Sequence, residues 1–170
     1  VRYLIGQGHR RVALLSADND FISTQQRRQG YCDALTAAGL PCGDELVALA
    51  DADYSFASGL AAAKRLLTAQ PRPTAVFCVS DILALSVISR AHDMGLRVPE
   101  DLSVTGFDDV DYTTMFHPHL TTVAQPCYEM GQVSLRLLLR MLGGEKVSHT
   151  HTFLPHKLVV RESVAAGSEP

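Results

Sequence analysis

The sequence predicts an α/β domain built on a doubly wound open parallel sheet, a Rossmann-like lobe. Three observations point there. Short apolar or β-branched runs alternate with segments whose apolar residues recur at helical spacing, four times in succession. The chain has 170 residues, 46% hydrophobic and 19% charged, which suits one packed body or two small lobes. Each apolar run also breaks off in polar or turn residues, and in an open parallel sheet such strand ends mark the ligand side.

The elements follow in order. Residues 11–16, RVALLS, form a first strand ending in the polar cluster ADND. Ser23-x-x-Gln26 has capping-box spacing, and Tyr31, Ala34, Leu35 and Ala38 give the following helix one apolar face. Gly39 supplies a left-handed stop and Pro41 prevents continuation. Residues 46–50 form a second strand, ending in Asp51-Ala52-Asp53-Tyr54. Ser55 caps a helix with Phe56, Leu60, Ala63 and Leu67 on its inner face, and Pro71 and Pro73 break the chain before a third strand at 74–79. Ser80-Asp81 opens a helix that stops at Gly95. Residues 101–126, DLSVTGFDDVDYTTMFHPHLTTVAQP, hold two more β-branched runs, one ending at Gly106-Phe107-Asp108-Asp109 and one at Gln125-Pro126.

Beyond Gln125 the pattern changes. The helix 128–142 is apolar nearly all round, with only Gln132, Arg136 and Arg140 as a polar stripe, and the helix 82–94 is similar. Such helices need partners on more than one side, supplied by a second copy or a second lobe. The tail 150–161 reads as extended and is expected to fray after Ser163. The start, VRYLIGQGHRR, without an initiator methionine, reads as the end of a helix already under way, so a fragment is expected.

A net charge of −3 and a pI near 6.1 argue against a nucleic-acid surface within this chain. No apolar run approaches the ~18 residues of a membrane span. Cys32, Cys42, Cys78 and Cys127 lie far apart without a C-x-x-C pair and read as reduced thiols. No G-x-S-x-G elbow or Walker loop occurs, and Gly6-Gln7-Gly8 precedes a strand instead of following one. His117-Pro118-His119 and His149-Thr150-His151 are spaced to touch one metal. Lacking a nearby cysteine or carboxylate set, they read as loop histidines, and neither metal nor cofactor is expected.

Converging strand ends bring together Asp18, Asp20, Phe21, Ser23 and Arg27, then Asp53 and Tyr54, Ser80 and Asp81, Asp108 and Asp109, and Gln125. Carboxylates, an amide, a guanidinium and a ring suit a hydroxyl-rich ligand. Each also has a plainer role: Asp81 as a helix cap, Tyr54 as packing, Arg27 as a solvated charge placed against its helix dipole.

RPTAVFCVSDILAL, GLRVPEDLSVTGFDD and HPHLTTVAQP resemble hallmark segments of the lactose/galactose repressor (LacI/GalR) family, and the likeness runs from about Val1 to Ser163. The chain is most similar to the cytidine and purine repressor branch, and LTTVAQPCYEMG especially resembles its cytidine members. The resemblance implies a periplasmic-binding-protein-like core of two lobes. Residues 9–124 would be its C-terminal lobe. Residues 1–8 and 125–145 would be pieces of the N-terminal lobe with crossovers, 146–163 return strands, and 164–170 a tail. It also implies that Arg27 and Asp108 grip the effector, that Tyr54 stacks on it, that Ser80-Asp81 is a polar pair near the pocket, and that Gln125 faces the pocket at a crossover. Phe21 stands where purine-type members carry arginine, which favours an apolar or sugar contact, and Ser23 lies beside it. Leu85, Tyr112, Met115 and Phe116 fall where members pack as dimers.

The expectation is therefore the effector-sensing, dimerising part of a cytoplasmic transcriptional repressor, not an enzyme. Its effector is a sugar or nucleoside, and operator DNA is read only by a headpiece outside this chain. The alternatives are a periplasmic solute-binding protein on the same core, a Mg²⁺-dependent phospho-receiver using Asp18, Asp20 and Asp81, and, more weakly, a hydrolase or dehydrogenase.

Overall fold

In the computed structural model, which describes residues 1–146 and 151–167, a short helix α1 (Arg2–Gly6) leads into β1 (Val12–Ala17). Then come α2 (Ile22–Ala37), β2 (Val47–Ala50), α3 (Phe56–Leu67), β3 (Ala75–Cys78), α4 (Asp81–Asp93) and β4 (Ser103–Thr105). The four strands pair in the order β2-β1-β3-β4, all parallel. β5 (Thr122–Ala124) extends this layer through parallel bridges Thr105–Thr121 and Asp108–Ala124. α5 (Cys127–Leu142) follows, and β6 (Lys157–Val159) returns antiparallel to β5, as edge strands of parallel sheets often do.

The doubly wound parallel sheet is thus present, with every residue of central strand β1 buried because helices cover both faces. Tyr31 of α2 is fully buried and donates its hydroxyl to the Val12 carbonyl at 2.9 Å, and burial pushes its pKa up to about 12. α1 packs as part of this body, since Leu4 is wholly buried in the sheet's own core.

Several local expectations need correction. α2 starts at Phe21 without a side-chain cap, because the Asn19 side-chain oxygen accepts from the Phe21 amide at 3.2 Å and turns the chain early. Ser23 is then already helical, the capping box does not form, and Arg27 falls in the second turn. Of the face predicted for α2, Tyr31 and Leu35 are buried, Ala34 is partly so, and Ala38 is exposed. The buried stripe of α3 is Gly59, Ala62, Ala63, Leu66 and Leu67, while Phe56 is exposed. It rotates because Gly59 lets α4 approach: a Cβ there would overlap Ser86 Oγ and sit 3.0 Å from Leu83 Cδ2.

Cys32 and Cys42 were expected to be reduced, yet they are joined, with Cα atoms 5.6 Å apart. Gly39, at φ +67°, turns the chain back so that residue 42 lies beside the helix carrying residue 32. Cys78 and Cys127 are free thiols. The tail does not fray at Ser163. That residue is fully buried, its hydroxyl donates to the Val104 carbonyl at 2.6 Å, and Gly167 N–H reaches the Gln7 carbonyl at 2.7 Å. Residues 168–170 lie outside the described set. α5 buries no residue.

Candidate functional site

The first turns of α2 touch residues that follow β2, β3 and β4, and β5 joins them through Asp108. From β2, Tyr54 hydrogen-bonds its hydroxyl to Thr24 of α2. From β3, the Val79 carbonyl accepts from Arg27 at 2.6 Å. From β4, Phe107 lies under the Arg27 guanidinium, 3.9 Å to the ring centroid, and Asp108 Oδ1 sits 3.7 Å from the same group. From β5, Gln125 Nε2 donates to Asp108 Oδ1 at 2.6 Å. Ser23, Gln26, Arg27, Phe107, Val123 and Gln125 share the wall of a groove of about 640 Å³. A smaller recess of about 250 Å³, bordered by Asp18, Asn19, Asp20 and Thr24, flanks the other side of α2.

Backbone strain concentrates on this rim. Among the described residues, the non-glycine positions with positive φ are Tyr54 (57°), Asp108 (128°) and Asp109 (60°), all just past strand ends. Such conformations cost about 1–3 kcal/mol each and persist where surrounding contacts over-determine them, often at ligand sites. Burial raises the Asp108 pKa above its ordinary value and the Asp81 charge adds to this, against the opposing pull of Arg27 and Gln125. Asp109 is held by Arg161 at 2.7 Å, and Arg161 also donates to the Leu120 carbonyl at 2.8 Å.

Arg27, Asp108 and Gln125 therefore come together directly, with Ser23 on the same groove. Tyr54 joins through Thr24. Ser80 and Asp81 stand behind the rim and do not line the groove. Ser80 caps α4, accepting from the Leu83 amide at 3.4 Å, so capping falls to Ser80 and not to Asp81. Asp81 is fully buried. Its oxygens accept from Thr122 at 2.5 Å and the Val110 amide at 3.1 Å, and burial raises its pKa. Gly106 is needed for this approach, since a Cβ there would overlap Asp81 Oδ1 and lie 2.8 Å from Leu120 Cδ2. Its role is close packing, not the turn expected from sequence. Phe21 is 62% exposed at the helix start and does not line the groove.

Phe107 was missed as a rim residue. The one signal for it was its place between Gly106 and Asp108. Arg161 was missed entirely, because a tail residue gives no local hint of reaching the strand ends. Asp81 points to β5, so it does not join Asp18 and Asp20 in the trio that a phospho-receiver needs. His117 and His119 do meet a carboxylate, that of Glu162, while His149 lies outside the described residues. Of the expected dimer residues, Met115 and Phe116 are each 65% exposed, while Leu85 and Tyr112 are partly buried.

A parallel sheet presenting a strained polar rim at its strand ends defines a domain of the α/β, periplasmic-binding-protein-like class. The chain belongs to the family of periplasmic binding protein-like domains, whose model matches residues 1–164, and its relatives are LacI-family transcriptional regulators. It is 39% identical over 166 residues to the HTH-type transcriptional repressor CytR of Escherichia coli K12, covering 98% of this chain and 48% of that one. The structure of a transcriptional regulator CelR–cellobiose complex superposes with a TM-score of 0.89 at 38% identity, over 95% of this chain and 49% of that chain. A LacI-family regulator from Enterococcus faecium with bound ribose gives a TM-score of 0.89 at 30% identity, over 98% and 61%. The chain spans about half the length of the curated relatives it matches. Among the described residues no helix is long and apolar enough to cross a membrane.

Proposed function

We propose that this chain is the effector-sensing lobe of a cytoplasmic DNA-binding transcriptional repressor and has no catalytic role. A small sugar or nucleoside binds against its rim, and a headpiece outside the chain reads operator DNA. Residues 9–124 act as the C-terminal lobe, and residues 125–145 reach into the other lobe, which would cover the apolar faces of α5. One observation carries the reading: Asp108, on strained backbone past a strand end, pairs with Arg27 and accepts from Gln125 in a partly buried polar cluster. In the effector complex Arg27 and Asp108 take ligand hydroxyls and Gln125 faces them from the crossover. Tyr54 and Phe21 offer ring faces, Ser23 lines the approach, and Ser80 and Asp81 hold the rim in place from behind. The relatives with bound cellobiose and ribose support a sugar. Met115 and Phe116, with Leu85 and Tyr112 beside them, supply the homodimer surface.

To carry most molecules between two lobe arrangements, the effector must favour one by ~5.5 kcal/mol. A thermal-shift panel of pentoses, hexoses, disaccharides and nucleosides tests the reading on a protein carrying both lobes, since a ligand that binds only the native state raises Tm. A Tm rise abolished by Arg27→Ala supports it. A rise indifferent to that substitution rejects it.

A second reading, a solute-binding protein of the same fold, is favoured by the Cys32–Cys42 pairing, because disulfides persist in oxidising compartments. Free-thiol titration of the protein, alkylated in the compartment where it naturally resides, separates the two. Four reactive thiols per unfolded chain fit the repressor, and two fit the exported binder.

A further inference from the structure

At the end of β5 away from Gln125, three metal-ligating side chains from two distant segments meet on the surface. His117 Nδ1 lies 3.0 Å from Glu162 Oε2, and His119 Nδ1 lies 3.4 Å from Glu162 Oε1. One ligand atom from each residue can be chosen so that all three lie within 4.8 Å of one another. The two imidazoles stack with centroids 4.2 Å apart. Main-chain bonds fix the arrangement: Glu162 N–H and Ser163 N–H both donate to the His119 carbonyl at 3.1 Å, and His119 N–H donates to Glu162 Oε2 at 3.1 Å. The set is therefore held by backbone and not by side-chain rotamers alone. A groove of about 490 Å³ opens beside His117, with His92 and Glu100 on its wall, leaving room for an ion and its water.

The plain account is a solvent-exposed His–Glu–His hydrogen-bond cluster. The spacing argues for more. One ligand atom from each residue lies within 4.8 Å of the others, so small rotations of these side chains bring all three to one ion at bonds of ~2.1 Å. Two imidazoles with one carboxylate select zinc, copper or nickel over magnesium or calcium, which take all-oxygen sets.

We propose that His117, His119 and Glu162 form a surface site for a divalent transition ion of the zinc type, with water completing the coordination. An ion there clips the loop carrying Met115 and Phe116 to the return segment after β6.

The test is calorimetric titration of ZnCl₂ into the chelator-stripped chain, with melting curves in parallel. Saturable uptake of about one ion per chain with a rise in Tm is expected. Changes outside the ligand shell alone weaken metal sites roughly 10–100-fold, so Glu162→Gln and His117→Asn should each cost at least tenfold in affinity. His117→Asn guards against misfolding, because that side chain is 77% exposed. Absence of saturable binding overturns the proposal. So does unchanged affinity in the double variant, which would place the ion on other histidines.

Discussion

Asp108→Asn separates stability from binding by changing a single functional group. Two contacts favour the Asp108 carboxylate, the Arg27 guanidinium and the Gln125 amide. With an effective dielectric near 20, the pair at 3.7 Å is worth at most about 4.5 kcal/mol before desolvation. The Gln125 bond adds about 1.5 kcal/mol. The carboxyl nevertheless sits above its ordinary pKa, because burial and the charge of Asp81 outweigh both. Ionised Asp108 is therefore held at a net cost to folding. For a carboxyl whose native pKa is raised, that cost appears as pH climbs from the unfolded value through the native one and persists at neutral pH. Asparagine keeps an oxygen for Gln125, tolerates positive φ, and removes the charge. Stability at pH 7 should therefore change by no more than about 1 kcal/mol, or within about 2–4 °C of Tm for a chain of this size. Effector binding should be lost. Differential scanning calorimetry with and without effector reads both quantities. A Tm drop beyond ~8 °C, or an undiminished effector shift, would refute the reasoning.

Arg27→Met should act in the opposite sense, costing about 2–3 kcal/mol by stripping the Val79 carbonyl and Asp108 of their partner; urea denaturation reads this, and a loss below ~1 kcal/mol would contradict it. Gly59→Ala should lower stability by about 1–2 kcal/mol, since overlap with Ser86 outweighs the gain in helix propensity. Stability should also fall on acidification below pH ~6.5, because burial depresses the His9 pKa and the unfolded chain takes up the proton first. Its ring bonds Thr74, Ser103 and the Ala165 carbonyl, so amide exchange at residues 163–167 should quicken over the same range and the slope should flatten in His9→Gln.

Much of this was legible in the sequence for identifiable reasons. Alternation of β-branched runs with helical spacing fixes a parallel sheet, because short crossovers leave few other topologies. Gly39 and Gly95 mark helix ends through a conformation that glycine adopts cheaply, and both have positive φ. Arg27, Asp108 and Gln125 were recoverable because strand ends converge by construction. What failed depends on contacts distant in sequence. The start of α2 is set by an asparagine before the helix, and Asp81 is drawn off the rim by Thr122. Arg161 and Glu162 act from a tail that carries no periodic signal, and Cys32 meets Cys42 only after a turn whose path spacing does not encode.

A crystal structure of the two-lobed protein with the sugar or nucleoside that gives the largest thermal shift tests the central claim most directly. The account predicts ligand hydroxyls or polar edges within about 3.2 Å of both Arg27 and Asp108, with Gln125 facing them. A ligand seated elsewhere, with Arg27 still bound to Val79 and Asp108 and no rim side chain touching it, would contradict the account.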